Sequence, residues 1–264
     1  ALIVEFYGDS KEDAEFNANK MIAHLKNLNI GYAHPLFTDK QKIENIFTVR
    51  KKGLGLLMGV KGNRKPIAFI EDAAVPLESL ADYIMEVFEV CREHETPVVA
   101  YAHASVGLLH VKPLLDLRDQ EDIERMKKIS LATLELVKKY KGSWSGEHGD
   151  GLARSPYNEA FFGPKLYQAF REIKWGFDPR NILNPGKIVD APAVDTNLRY
   201  GPSYKDDAIK TMFHYRGEGG FHEAVHLCNG VGECRKTIGG TMCPSFRASR
   251  DEKDSTMARA NALR

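Results

Sequence analysis

Apolar residues recur along the chain in two rhythms, and the two rhythms predict different elements. After Gly8-Asp9-Ser10, Ala14, Ala18, Met21, Ile22, Leu25 and Leu28 return every three or four positions, which predicts a helix capped by Ser10. Pro76 opens a second helix, with Leu77, Leu80, Ala81, Ile84, Val87, Phe88 and Cys91 on one face. A third helix is expected over about 119–140, with Ile123, Met126, Ile129, Thr133, Leu136 and Tyr140 inward. A fourth covers about 158–177 through Phe162, Leu166, Phe170, Ile173 and Phe177, and Asp178-Pro179 ends it. Lys40 to Lys51 reads as a further helix carrying Arg50 at its C-terminal end, followed by Gly53-Leu-Gly-Leu-Leu-Met-Gly59 as a flexible apolar loop.

The second rhythm is shorter. Residues 2–7, 32–37 and 67–71 read as strands, and residues 97–103 and 106–112 as two strands joined by a tight turn near Ala104–Gly107. Asn181 to Lys187 is a turn-rich closing segment. The order predicts an α+β domain with a largely antiparallel sheet and helices on one face, ending near residue 190. Residues 191–222, rich in Pro, Asp, Gly and Tyr, form a linker or loosely packed arm. Residues 223–264 form a second unit, too small to stand without a staple or a remainder. There is no internal repeat.

Charge changes the picture little. The 37 Lys and Arg against 36 Asp and Glu leave a net charge of +1, which points to no nucleic-acid partner. No apolar run approaches the roughly 20 residues of a membrane span. The first residues carry no secretion signal; the chain starts as a core strand would and reads as a piece of a longer polypeptide. The 4 cysteines are unevenly placed: Cys91 alone on a helix, Cys228, Cys234 and Cys243 near the end. That usage fits a reducing, cytoplasmic compartment and a metal or cluster motif. Any membrane association is expected to be peripheral, through an electron-transfer partner.

The candidate chemistry lies between Val99 and Gly151. His103 and His110 are seven apart, so on one continuous strand they would face opposite sides. The turn between them removes that obstacle. Glu147 and His148 stand in the glycine-rich run Gly142-Ser-Trp-Ser-Gly-Glu-His-Gly-Asp-Gly151, where backbone and substrate can approach closely. His103, His110 and Glu147 read as a three-ligand divalent metal site with an open position, suited to zinc and also to manganese or iron(II). His148 is the base beside it, provided the local backbone bends so that adjacent residues serve one site. Taken singly, each histidine also reads as a packed or surface residue.

Several blocks resemble one family. Arg50-Lys-Lys-Gly-Leu-Gly-Leu-Leu, Lys65-Pro-Ile-Ala-Phe-Ile-Glu-Asp, Ala102-His-Ala-Ser-Val-Gly-Leu-Leu-His-Val, Ser145-Gly-Glu-His-Gly-Asp-Gly and Phe177-Asp-Pro-Arg-Asn-Ile-Leu-Asn-Pro-Gly-Lys are similar to the C-terminal, ferredoxin-like cap domain of FAD-linked oxidases. These are the vanillyl-alcohol-oxidase-like flavoenzymes that include glycolate oxidase, D-lactate dehydrogenase and D-2-hydroxyglutarate dehydrogenase. The resemblance covers residues 1–190. It implies His103, His110 and Glu147 as metal ligands, His148 as general base, and Arg50 as the holder of the substrate carboxylate. It implies oxidation of a D-2-hydroxy acid of the lactate or hydroxyglutarate class to the 2-oxo acid, with hydride transfer to FAD. Asn184 and Lys187 are expected to approach the flavin; turn chemistry is their plainer reading. Lys65 is a candidate for a second substrate carboxylate, against its simpler reading as a surface lysine. Family members hold FAD mainly in an N-terminal domain for which this chain has no candidate, so the chain alone is expected neither to hold FAD tightly nor to turn over.

The tail, Cys228-Asn-Gly-Val-Gly-Glu-Cys234 and Thr241-Met-Cys243-Pro244-Ser245, resembles the opening of a ferredoxin-type 4Fe-4S domain. The usual cysteine spacing is not met and only three ligands are present, so a complete set needs a cysteine beyond Arg264. Zinc binding or a plain reduced thiol cluster are the other readings. The whole is expected to be a fragment of a flavin dehydrogenase passing electrons to an iron–sulfur centre. The alternative is a non-catalytic metal-binding or electron-transfer module, which would need a closed rather than an open metal site.

Overall fold

A computed structural model of the chain describes every residue except Ala208, Gly240, Thr241 and Arg264, and the backbone alone of Leu54. The chain divides into two compact units, residues 1–57 and 58–264.

The first unit is helical. α1 (Lys11–Asn27) begins as expected, with the Ser10 hydroxyl accepting from the Asp13 amide at 3.1 Å. α2 (Lys40–Met58) begins at Asp39, whose carboxylate accepts from the Lys42 amide at 2.9 Å. It does not stop at Lys51. The helix runs through Gly53 and Gly55, so the expected flexible loop is helical and Arg50 sits well inside the element rather than at its end. Two interior glycines cost a helix about 2 kcal/mol in propensity, and the helix nevertheless continues about two further turns beyond Lys51. Residues 2–7 and 32–37 are not strands. Leu2, Ile3, Val4 and Tyr7 are exposed. Their alternation is real, but no extended segment of this unit pairs with them among the described residues, and an unpaired strand leaves its backbone groups to water.

The second unit is α+β. β4 (Leu108–Leu115) is the central strand, and β1 (Lys65–Pro66), β2 (Ala73–Ala74) and β3 (Val98–His103) all pair with it antiparallel. α3 (Leu80–Glu93) and α4 (Gln120–Lys139) cover one face. Tyr83, Val87 and Cys91 from α3, Ile123, Met126, Ile129, Leu134 and Val137 from α4, and Leu109, Val111 and Leu115 from β4 make the core. Cys91 is a core residue, and burial pushes its thiol up to about 11. Trp144, also buried, packs on Phe161 and Tyr157 and ties the following segment to that core.

The expected strand at 67–71 is interrupted. Lys65 and Pro66 pair with Leu115 and Leu114, whereas Ala73 and Ala74 pair with Leu109 and Leu108. Between them the chain advances seven residues while β4 retreats five, so two residues bulge out of the ladder. Asp72, at φ 75°, closes this bulge in the left-handed region and still donates its N–H to the Leu109 carbonyl at 3.0 Å.

The expected helix over 158–177 is also divided. α5 (Gly151–Arg154) leads into α6 (Asn158–Phe162), and α7 (Pro164–Phe177) starts afresh. Gly163 at φ 81° turns the chain and Pro164, lacking an N–H, begins the new helix. From Asp178 to Gly220 there is no helix or strand among the described residues. Short helices follow: α8 (Phe221–His226), α9 (Pro244–Ser249) and α10 (Thr256–Ala262). Among the described residues no helix is long and apolar enough to cross a membrane.

Candidate active site

The hairpin places its histidines by register. Tyr101 lies opposite His110 and His103 opposite Leu108. Paired residues share a face, as do residues two apart. Tyr101, His103, Leu108, His110 and Lys112 therefore occupy the face away from α3 and α4, while Leu109, Val111 and Leu115 turn inward. The turn is a single 3₁₀ turn, Ala104–Val106, closed by Gly107 at φ 68°. A Cβ on Gly107 would strike the Val75 carbonyl oxygen, so only glycine permits this closure. The His110 ring then lies 4.6 Å from that of Tyr101 and 5.1 Å from that of His103.

The glycine-rich segment is a loop laid along the same face. Its start is stitched to β2, with the Ser143 amide donating to the Ala74 carbonyl at 2.7 Å. Beyond it, Glu147 and His148 both reach the histidine cluster. Glu147 Oε1 is 3.0 Å from His110 Nε2, 3.4 Å from His103 Nε2 and 3.5 Å from His148 Nε2. The His148 ring stacks on His110 with centroids 5.0 Å apart.

Three imidazole nitrogens around one carboxylate oxygen is the donor set of a divalent cation. A tetrahedral ion bound at about 2.0–2.2 Å holds its ligands roughly 3.3–3.6 Å apart, comparable with the distances from Glu147 Oε1 to each nitrogen. Among the described residues the group whose ligand atoms all lie within 4.8 Å of one another is Asp72, His110, Glu147 and His148, without His103. His110 carries a second mark. Its Nδ1 is buried and has no hydrogen-bond partner among the described residues, with Glu71 Oε2 at 3.9 Å. Burial holds the His110 imidazolium below its ordinary range, as do the neighbouring imidazoles of His148 and His103, against the pull of Glu71 and Glu147. A neutral ring is the form that ligates. A ring bound through Nε2 would present Nδ1–H toward a carboxylate, the usual supporting contact of a metal-bound histidine. The set holds one nitrogen more than a three-ligand open site needs.

Two carboxylates in this neighbourhood come from the bulge before β2 and have no counterpart in the expected ligand set. Glu71 pairs with the buried Lys112 and lies 3.5 Å from His148 Nδ1. Asp72 offers an oxygen within 4.8 Å of ligand atoms of His110, Glu147 and His148. Its carboxylate is already engaged, however. It accepts from the Ser145 hydroxyl at 2.7 Å and from the amides of Gly146, Glu147 and His148 at 3.1, 3.0 and 2.9 Å. Burial pushes the Asp72 carboxyl up, but these bonds and the Arg154 guanidinium outweigh it and hold the group below the usual range. Nothing in the spacing of Glu71-Asp72 announces these contacts; the available signal is that the pair closes one of the family-like blocks.

The remaining candidates are carried by other elements. Arg50 is exposed on α2 in the first unit. Lys65, on β1, donates to the nearby Val60 carbonyl. Asn184 adopts a left-handed conformation at φ 52°, and Lys187 donates to the Pro185 carbonyl at 3.3 Å, both within the turn-rich segment. Cys228 is half-buried, while Cys234 and Cys243 are buried. Among the described residues these sulfurs form no three-ligand group; Cys243 Sγ instead meets the Asp254 carbonyl at 3.3 Å. Thr241 of the tail motif lies outside the described residues.

Comparison with known proteins identifies the family. Residues 1–188 match the family model described as FAD linked oxidases, C-terminal domain. The chain is 40% identical over 99% of its length to a D-2-hydroxyglutarate dehydrogenase of Haemophilus influenzae, covering 26% of that protein. It is 35% identical over 99% of its length to the enzyme of the same name from Escherichia coli, again covering 26%. A D-lactate dehydrogenase of Archaeoglobus fulgidus is 35% identical over 49% of the chain and 28% of that protein. The chain thus spans about a quarter of the length of these relatives.

Proposed function

The chain belongs to the FAD-linked oxidases as their C-terminal domain, and from that premise we propose that it builds the substrate side of a flavin-dependent dehydrogenase for a D-2-hydroxy acid. The observation that carries this is the convergence of His103, His110 and His148 on Glu147 Oε1. In this reading His103, His110 and Glu147 hold a divalent metal, with zinc, manganese and iron(II) all compatible with the ligand types. Bound there, the metal supplies Lewis-acid polarisation of the substrate hydroxyl, and the flavin supplies the hydride acceptor.

The chain's own residues do the rest. His148 Nε2 faces the ligand cluster and takes the hydroxyl proton. Glu71, beside Nδ1, then stabilises the imidazolium and fixes the ring. Lys112 pairs with Glu71 and holds its carboxylate in place. Arg50 is assigned to the substrate carboxylate, which a planar guanidinium binds through two parallel hydrogen bonds. Asn184 and Lys187 are assigned to the flavin. The similarity to proteins named D-2-hydroxyglutarate and D-lactate dehydrogenase supports a D-2-hydroxy acid as substrate.

The tail is assigned to the opening of an iron–sulfur domain through Cys228, Cys234 and Cys243. These three thiols are one short of a four-thiolate set and are not gathered here, so no electron step is derived through them. Iron and sulfide analysis of the full-length protein and of its Cys234→Ser variant tests that assignment.

The central test is the metal. The chain should bind a stoichiometric divalent ion that is lost in His110→Ala, and a D-2-hydroxy acid should alter the ligand-field spectrum of bound Co²⁺. In the full-length flavoprotein, His148→Asn should lower kcat by about 100-fold to 10,000-fold while metal remains bound. Absence of metal, or metal indifferent to His110 and to hydroxy acid, overturns the reading.

A further inference from the structure

Glu147 and His148 are neighbours in the chain, yet both serve one cluster. In an extended segment they would point to opposite sides. Their carboxylate and imidazole are instead 3.5 Å apart and both meet His110. The backbone beneath them explains how. The N–H groups of Gly146, Glu147 and His148 do not alternate; all three aim at the carboxylate of Asp72. Successive amides converging on an anion form a nest. With the amides turned to one side, the two side chains leave together on the other.

The anion in this nest is built in and fixed. Asp72 is fully buried. Its own N–H is bonded to the carbonyl of Leu109, the residue before His110, and its carbonyl accepts from the Gly146 amide at 2.6 Å. Arg154, also buried, lies 3.4 Å from Asp72 Oδ2 and donates to the carbonyls of Glu71 and Gly149, closing the loop from its far end. One residue thus sets the height of the loop against the strand that carries His110.

We propose that Asp72 is the positioning residue of the site, the group that turns Glu147 and His148 onto the point where His103 and His110 converge. This rests on the reading of that point as a metal centre. The competing role, Asp72 as a metal ligand itself, is set aside by its donors. Oδ2 takes the Ser145 hydroxyl and the Gly146 and His148 amides with Arg154 3.4 Å away, and Oδ1 takes the Glu147 amide, so both oxygens are committed to holding the loop.

Asp72→Asn tests this with two readouts, Co²⁺ affinity from the ligand-field bands and amide exchange at residues 146–148. Asparagine keeps the volume and tolerates the left-handed backbone at φ 75°, but turns an N–H₂ toward the nest. The expected result is Co²⁺ affinity lower by about 10-fold to 100-fold, with exchange of those amides faster by a similar order. A ligand role would instead lower affinity and leave the amides protected, which would overturn the proposal. So would unchanged affinity with unchanged protection. Where Asp72→Asn does not fold, Ser145→Ala takes its place, removing one of the four bonds. Affinity and protection should then fall together by about threefold, and no change in either overturns the proposal. Failure of the metal reading looks different: the unmodified chain would bind no Co²⁺ that His110→Ala abolishes, while the amide readout would still report on the nest.

Discussion

Glu147 and Asp206 each gather more than one imidazole around a carboxylate oxygen, and the partners differ in kind. Glu147 meets nitrogens delivered by β3, β4 and its own loop, while the nearby ammonium of Lys112 is paired with Glu71. Asp206 accepts from the Tyr204 hydroxyl at 2.8 Å, faces Arg118 at 3.9 Å, and has His222 and His226 of α8 each at 3.3 Å. The ring of His222 is tied by Nε2 to the Asp207 carbonyl at 2.5 Å. Burial pushes the Asp206 carboxyl up, and hydrogen bonds from Tyr204 and His226 more than reverse this, leaving it below the usual range. Asp206 thus has a hydroxyl proton and a guanidinium supplied by the protein. Glu147 has imidazoles, which supply charge only when protonated. Histidines near a carboxylate therefore do not by themselves mark a metal site; what separates the two clusters is the hydroxyl and guanidinium that also face Asp206.

The largest expected effect breaks this comparison directly. His110→Ala should weaken divalent metal binding at least about 100-fold, whereas His226→Ala should leave it unchanged. Equal losses, read by equilibrium dialysis, would mean that the two clusters are alike and that the distinction drawn from their donors is wrong. The next effect is on stability. Lys112→Met leaves Glu71 largely buried without its cation and should cost about 3 kcal/mol, seen as a lower denaturant midpoint. Arg118→Met, at a partly exposed pair that retains Tyr204, should cost about 1 kcal/mol or less. Similar costs would show that the Glu71–Lys112 pair is no more essential than a surface one.

The two regions also differ in how far sequence carries. The hairpin was legible: its strands, its turn and the nearness of His103 to His110 on one face follow from alternation and from Gly107. The long helix from Gln120 to Lys139 was legible too, because its apolar face repeats without interruption along its length. Asp72 and Glu71 were not. Their position depends on a two-residue slip between β1 and β2 against β4, and register belongs to the partner strand as much as to the segment itself. The need for a bend at Glu147-His148 could be stated from adjacency, but the group that bends it comes from more than 70 residues earlier. At 2–7 the alternation was present and the partner was not, so periodicity alone named a strand that does not form.

The smallest effect concerns the Asp206 cluster at high pH, and it sharpens the contrast from the other side. Burial, then the hydrogen bond to Asp206 and the charge of that carboxylate, push the Tyr204 hydroxyl up from an ordinary value near 10.0 to about 12. A raised tyrosine keeps its proton in the folded chain after the unfolded chain has lost it. Between these two values the unfolded state binds fewer protons, so stability falls as pH rises. The contribution is complete below about pH 10 and is lost as pH climbs toward 12. Tyr204→Phe should remove this part of the alkaline slope in a series of denaturation midpoints, leaving the part due to the buried Tyr83, which burial also raises. Its stability below pH 10 should drop slightly, because Asp206 loses one donor. An unchanged alkaline slope would mean that in solution the Tyr204 hydroxyl is neither buried nor bonded to Asp206 as it is here. Asp206 would then stand nearer to Glu147 in character, with imidazoles as its main company and a cation still to be found.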